Sequence, residues 1–260
     1  MSTAVGSGPD LALIHGWGLG SWVWQPLLER LSRNCRVHLV DLPGYGQNPA
    51  AGDPHAALPD FSATAQALLD ALPEQVTLCG WSLGGLLAMR AALLAPERVS
   101  GLVLVGSTPS FVQRSDWQTA QTPALLDGFS ASVAAQPQQT LQRFLALLSQ
   151  GDAKARAITR TLLAGLRKAP LPDSRALHHG LECLREVDLR PLLPTIATRS
   201  LLIHGRQDPL NPVAAAAYLQ EQLADAQLDI FDTAGHAPFL ANPDRFARLL
   251  DDFCHAPVTP

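Results

Sequence analysis

Six short apolar runs decide the architecture open to this chain: 11–16 (LALIHG), 36–44 (RVHLVDLPG), 75–80 (QVTLCG), 99–106 (VSGLVLVG), 199–205 (RSLLIHG) and 226–232 (AQLDIFD). Each is rich in Val, Leu or Ile, ends at Gly or Asp, and lacks the apolar–polar alternation of a strand with one wet face. Such runs suit strands buried on both faces of a parallel sheet. The segments 24–33, 61–72 and 84–95 place Leu or Ala at three- and four-residue spacing, the mark of a helix with an apolar face. Strand alternating with helix gives an open, mostly parallel sheet flanked by helices and joined by right-handed crossovers.

The alternation stops between about 110 and 189. There the chain reads as helices broken by Pro and Gly, with no convincing strand: TPALLDGFSASVAAQ, QQTLQRFLALLSQG, DAKARAITRTLLAGLRKAP and ALHHGLECLREV. The expected organisation is a core of 1–109 and 190–260 with 110–189 inserted as a helical cap. Loops at the carboxyl ends of strands build the crevice of an open α/β sheet, so an insertion there covers it. A chain of 260 residues suffices for one such domain.

With 47% hydrophobic and 16% charged residues, the chain can bury a sizeable core and is not of disordered type. A net charge of −4 gives no reason to expect nucleic acid. The four cysteines form no CxxC pair and read as reduced thiols, not as a disulfide frame or a zinc site. The opening residues lack the basic and apolar regions of a signal peptide. The longest apolar tract, LLAMRAALLA, contains Arg90 and is too short for a bilayer. A soluble, cytoplasmic, monomeric protein with no membrane or nucleic-acid partner is expected.

The run 75–80 leads directly into G80-W81-S82-L83-G84, followed by Gly85 and a helical pattern. Glycine costs about 0.5–1 kcal/mol in a helix or strand interior, so this cluster implies a sharp turn. G-x-S-x-G between a strand and a helix is a nucleophile elbow, in which a strained turn exposes the serine hydroxyl. The alternative is a glycine-rich strand-to-helix turn without chemistry.

A serine nucleophile needs a base, and the base needs an orienting group. Of the histidines, His236 in FDTAGHAPF follows the last strand. His38 and His204 lie within strands, His178 and His179 in the inserted segment, and His255 near the end. Asp208 in LLIHGRQDPLNP lies in a turn just past a strand. Asp232 stands only four residues from His236, and Asp188 lies in a helix-like linker. The order Ser82, Asp208, His236 is the one α/β-hydrolases use. One oxyanion donor is the N–H of Leu83, and the other is that of Trp17 in H15-G16-W17-G18, where Gly16 lets the chain turn. His15 is expected to shape that loop rather than move protons.

The motifs HGWGLGSWVW, VDLPGYG, GWSLGGLLA with PERV, GRQDPLNP and GHAPFLANPDRF resemble the α/β-hydrolase superfamily from Leu11 to Phe253. The resemblance implies its fold, with a helical cap inserted after the sixth strand; as a departure from the superfamily, only about ten residues precede the first expected strand, so its usual initial hairpin is expected to be shortened or missing. Within it, GWSLGG, QRFLALLSQG and GLECLREVDLR resemble the carboxylesterase family of biotin synthesis. That family hydrolyses the methyl ester of a pimeloyl chain on acyl carrier protein, with no metal or cofactor. The resemblance implies substrate contacts from Trp17, Ser82, Leu83, Phe144, Leu145, Ala146, Leu147, Leu148 and His236.

Between Pro137 and Pro170 six basic residues face a single acid, Asp152. At about 100° per residue, Arg156, Arg160 and Arg167 share a narrow arc of one helix, apart from Ile158, Leu162 and Leu166. With Arg143, this basic surface suits transient electrostatic docking of an acidic carrier protein; the plainer alternative is a solvated helix face. Leu141, Phe144, Leu145 and Leu148 share another face, which packs the cap, roofs an acyl channel, or does both. A broad short-chain esterase or lactonase acting on small esters, a lyase or carbon–carbon hydrolase, and a non-catalytic receptor remain alternatives. Ser82, standing where a dehalogenase has its nucleophilic aspartate, argues against that reading.

Overall fold

In the computed structural model, which describes residues 2–48 and 58–256, the apolar runs become strands of one sheet. They are β1 (Ser2–Val5), β2 (Asp10–Ile14), β3 (Arg36–Val40), β4 (Val76–Trp81), β5 (Val99–Val105), β6 (Ser200–Gly205) and β7 (Ala226–Phe231). Every residue of β4 and β6 is buried, which explains why neither run alternates. The order is β1-β3-β2-β4-β5-β6-β7; β1 is antiparallel to β3 and all other neighbours are parallel.

Helices α1 (Gln25–Leu31), α2 (Phe61–Asp70) and α3 (Leu83–Leu94) link successive strands. Between β5 and β6 stand α4 (Pro123–Ala135), α5 (Pro137–Leu148), α6 (Ala155–Lys168) and α7 (Ser174–Glu186). α4 packs on α5 and α7, and α5 packs on α6. α8 (Val213–Gln222) joins β6 to β7, and α9 (Pro238–Ala241) and α10 (Pro243–His255) follow.

Two expectations are corrected. The first strand is Ser2–Val5, not the run at Leu11. The four inserted helices follow the fifth strand of the chain, not the sixth. The ordinal came with the resemblance; ahead of β2 the described chain has a single strand, β1, antiparallel to β3.

The chain order reverses between β2 and β4: β3 lies on one side of β2 and β4 on the other. Ligand crevices of open α/β sheets form outside the carboxyl ends of strands at such a switch point. Ile14 pairs with Gly80 in the register, so the loop after β2 and the turn after β4 leave the sheet side by side.

That turn is held by crowding. A Cβ on Gly80 would collide with the Gly84 carbonyl, and one on Gly84 would stand 2.5 Å from the Ile14 carbonyl oxygen. Helix α3 therefore seats directly on the sheet. At the end of β4, Trp81 joins Trp24, Phe239 and Phe246 in a fully buried aromatic cluster, with Trp24 and Phe239 centroids 4.4 Å apart and Trp81 and Phe239 4.9 Å apart.

Gly80→Ala is expected to cost about 3 kcal/mol, the upper range for overpacking, and to lower the melting temperature by roughly 6–12 °C in a chain of this size. Gly128→Ala is the control. No atom lies within 4 Å of a Cβ added there, inside α4, so it should stabilise by about 0.4–1 kcal/mol. Equal melting temperatures for the two variants would contradict this account of the turn.

Candidate active site

Ser82 follows β4 and caps α3 with φ 57° and ψ −117°, the only non-glycine residue with positive φ among those described. A non-glycine residue held there costs on the order of 1–3 kcal/mol and persists only when its surroundings over-determine it. Here they do: its N–H donates to the Val105 carbonyl at 3.0 Å, and its carbonyl accepts from Gly85 N–H at 2.9 Å.

His236 Nδ1 and Asp208 Oδ2 are 2.7 Å apart, with both side chains fully buried. The other carboxylate oxygen accepts the N–H groups of Leu210 and Asn211, each at 2.9 Å. Asn211 also donates from Nδ2 to the Gly106 carbonyl at 2.6 Å. Burial works to raise the Asp208 pKa, but the imidazole of His236, its hydrogen bond, His204 and the Asn211 N–H together hold it below the ordinary carboxylate value. Gly106, at φ 49°, passes so close that a Cβ would lie 3.2 Å from His236 Nδ1 and 3.3 Å from Asp208 Oδ2.

His236 Nε2 is buried and makes no hydrogen bond. The Asp208–His236 link is thus made, while a Ser82–His236 hydrogen bond is not. Orphaned buried polar atoms are rare in native folds and call for a functional explanation.

The loop after β2 passes beside the serine. A Cβ on Gly16 would stand 3.3 Å from Ser82 Cβ. Leu83 N–H belongs to the first turn of α3, where amides lack intrahelical acceptors. Trp17 N–H makes no hydrogen bond among the described residues. His15 Nδ1 lies 2.8 Å from the Gly16 carbonyl, while Nε2 accepts the Leu42 N–H at 3.1 Å. This pattern requires the neutral ring. Burial lowers the His15 pKa accordingly, against the Gly16 carbonyl and Asp41.

Ser82 opens on a narrow cavity walled by Trp17, Phe111, Leu126, Phe129, Phe144 and leucines from α7 and the Asp208 loop. Trp17 meets Phe144 edge-on at 4.9 Å and is tied to α7 by an indole hydrogen bond of 2.8 Å to the Leu177 carbonyl. The wall carries no charged side chain.

The stretch expected to contact substrate does so only in part. Phe144 lines the cavity; Leu145 and Leu148 are buried in packing; Leu147 is half-buried; Ala146 lies in an outer groove between α5 and α6. Five consecutive helical residues sweep a full turn, so they cannot all face one cavity. The Leu83 side chain lines a separate apolar cleft with Tyr45 and Phe61, leaving its N–H as its contribution to the serine. The rival acids pair elsewhere: Asp232 with Arg206 at 2.7 Å and Asp188 with Arg190 at 2.7 Å. Arg143, Arg156, Arg160 and Arg167 are exposed, without ion-pair partners among the described residues.

Three contacts escaped the sequence reading. Trp81, next to the serine, donates its indole N–H to the His236 carbonyl at 2.8 Å. The Leu148 carbonyl accepts the His236 N–H at 3.0 Å. His204 Nε2 lies 3.5 Å from Asp208 Oδ2 but 2.8 Å from the Asn211 carbonyl. No local motif announces the first two, because they join segments distant in the chain; the third is local, within seven residues of the strand end.

Residues 11–243 match the family model described as the alpha/beta hydrolase fold. The chain belongs to the α/β-hydrolases. Two curated relatives of this hydrolase are named pimeloyl-[acyl-carrier protein] methyl ester esterase. The one from Aeromonas hydrophila subsp. hydrophila is 41% identical over 95% of this chain and 96% of its own. That from Nitrosomonas europaea is 42% identical over the same shares, 95% and 96%. Among solved structures, the hydrolase superposes on an esterase from Exiguobacterium antarcticum with a TM-score of 0.86 and 26% identity, covering 98% of this chain and 95% of that one. No helix among the described residues is long and apolar enough to cross a membrane.

A pH prediction follows from His15 and from His204, whose pKa burial also lowers. With folded values below the unfolded one, the unfolded chain binds more protons as acidity rises. Their contribution is complete above about pH 6.5 and declines below it, by up to about 1.4 kcal/mol per pH unit for each ring. The Asp208 contribution is present above the unfolded carboxyl value and is lost only as pH falls through its depressed folded value. Melting temperatures measured from pH 8 to 5 should begin to fall near 6.5. A curve flat down to pH 5 refutes the buried neutral state of both histidines.

Proposed function

We propose that this chain is a carboxylic ester hydrolase that frees the terminal carboxylate of a pimeloyl chain on acyl carrier protein by hydrolysing its methyl ester, in biotin synthesis. The observation that carries the chemistry is the buried Asp208–His236 hydrogen bond beside a strained Ser82. The substrate rests on relatives of that name, 41% and 42% identical along nearly the whole chain.

In this reading Ser82 Oγ attacks the ester carbonyl and His236 Nε2 takes its proton. Asp208 holds the imidazole in the required tautomer and stabilises its charged form. The N–H groups of Trp17 and Leu83 receive the oxyanion; losing one such donor costs on the order of 10²–10³ in rate. His236 then protonates the departing methoxide, giving methanol and an acyl-serine. Water, deprotonated by His236, attacks that acyl group and releases the carboxylic acid. Catalytic hydrogen bonds are often long in the free enzyme and tighten with substrate, which accounts for the unpaired Nε2.

Residues 110–189 act as the cap in this scheme, with Phe144 in the roof of the acyl cavity. The unpaired arginines Arg143, Arg156 and Arg160 form the docking face for the acidic carrier, a contact that is transient and electrostatic. The enzyme works as a cytoplasmic monomer.

Ser82→Ala should lower turnover of carrier-linked pimeloyl methyl ester by about 10⁴–10⁶-fold and abolish labelling by a phosphonate serine probe. Retained esterase activity would exclude the mechanism. Arg156→Glu with Arg160→Glu should slow hydrolysis of the carrier-linked ester while sparing a soluble short-chain ester. Equal losses on both substrates mean that this face does not dock the carrier. Wild-type enzyme that ignores the carrier-linked ester yet turns over short esters is instead a broad short-chain esterase.

A further inference from the structure

Among the buried acids that the mechanism leaves unused, Asp152 alone belongs to the inserted helices. Asp152 is 8% exposed and lies between α5 and α6. It is the one carboxylate in a basic stretch, yet it forms no ion pair among the described residues. Both its oxygens accept backbone N–H groups instead. Oδ1 takes the N–H of Lys154 at 2.6 Å, which shapes the entry to α6. Oδ2 takes the N–H of Gly235 at 3.0 Å, one residue before His236.

Two further hydrogen bonds join the same segments. His236 N–H donates to the Leu148 carbonyl at 3.0 Å, and Ala153 N–H donates to the Thr233 carbonyl at 3.0 Å. Gly151, at φ 83°, packs on Gln207 so closely that a Cβ would lie 3.0 Å from its carbonyl oxygen. The α5–α6 connection therefore grips the His236 loop and abuts the residue before Asp208. The imidazole itself has one side-chain tether, Asp208, and a free Nε2. Where Nε2 stands relative to Ser82 thus depends on the backbone at 235 and 236.

We propose that Asp152 is a positioning residue for His236: a carboxylate of the inserted helices that fixes the histidine loop through Gly235 N–H and so sets the reach of the imidazole toward Ser82. The proposal rests on the reading of His236 as the base. It links the wall of the acyl cavity to the base as well, since Phe144 lies one helical turn before the Leu148 carbonyl that holds His236.

The test uses the whole enzyme and a soluble short-chain ester, so that carrier docking plays no part. Asp152→Ala removes both acceptors, and Asp152→Asn keeps one oxygen. A misplacement of about 1 Å can cost 10²-fold. The expected kcat loss is therefore about 10- to 100-fold for Asp152→Ala and smaller for Asp152→Asn, with KM changed less than about twofold. The downfield proton resonance of the His236 Nδ1–H to Asp208 bond should shift or broaden in both variants. A kcat for Asp152→Ala within twofold of wild type overturns the proposal, as does a lowered melting temperature with kcat and the resonance unchanged. If Asp152→Ala does not fold, Asp152→Asn decides: wild-type kcat with an unmoved resonance overturns the proposal. His236→Ala separates the two readings, because activity surviving that change removes the base itself, whatever Asp152 does.

Discussion

Everything at the carboxyl edge of the sheet depends on how closely helix α3 sits on strand β4. Two glycines four residues apart permit backbone-to-backbone contact there, and the serine between them is left in a conformation that no isolated peptide would hold. The strain is offset by packing that a domain of this size supplies in quantity. Its effect is to lift one hydroxyl out of an otherwise apolar layer, toward the loop after β2. The neighbouring strand pair at the switch point then fixes what faces that hydroxyl.

Much of this was legible beforehand because it is written in local patterns. The strands show as unalternating apolar runs, and the four inserted helices overlap the segments that their spacing indicates, with α5 and α7 beginning one and two residues ahead of theirs. Ser82 is marked by its glycines, Asp208 by the turn after β6, and His236 by its place beyond β7. What stayed hidden depends on tertiary placement. Nothing around Trp81 says that its indole will bond a carbonyl 155 residues away. Asp152 reads as a stray acid in a basic stretch, because its partner, the Gly235 amide, lies 83 residues off. The apolar content of QRFLALLS was plain, but which side of α5 meets the serine is settled by the packing of α4 and α7.

The electrostatics of the molecule divide by depth. At the surface of α5 and α6 the arginines stand unpaired among the described residues, where their fields extend about 8–10 Å before salt screens them. Within the site the charges are few, and each is satisfied by backbone N–H groups or a single ring nitrogen. Asp208 and Asp152 are both held by amides rather than by arginine or lysine side chains. At Asp208 the pKa is thereby held low without a mobile cation that would compete for the imidazole.

The uncharged wall beside Ser82 has an effect on traffic through the site. An ester is neutral and loses little on entering among Trp17, Leu126, Phe129 and Phe144. A carboxylic acid, with an ordinary pKa of about 4, is an anion at neutral pH, and an anion in apolar surroundings with no counter-ion is strongly disfavoured. Under the proposed reaction, a chamber that admits a neutral ester would repel the anion made from it, and the charge that hydrolysis creates would drive departure.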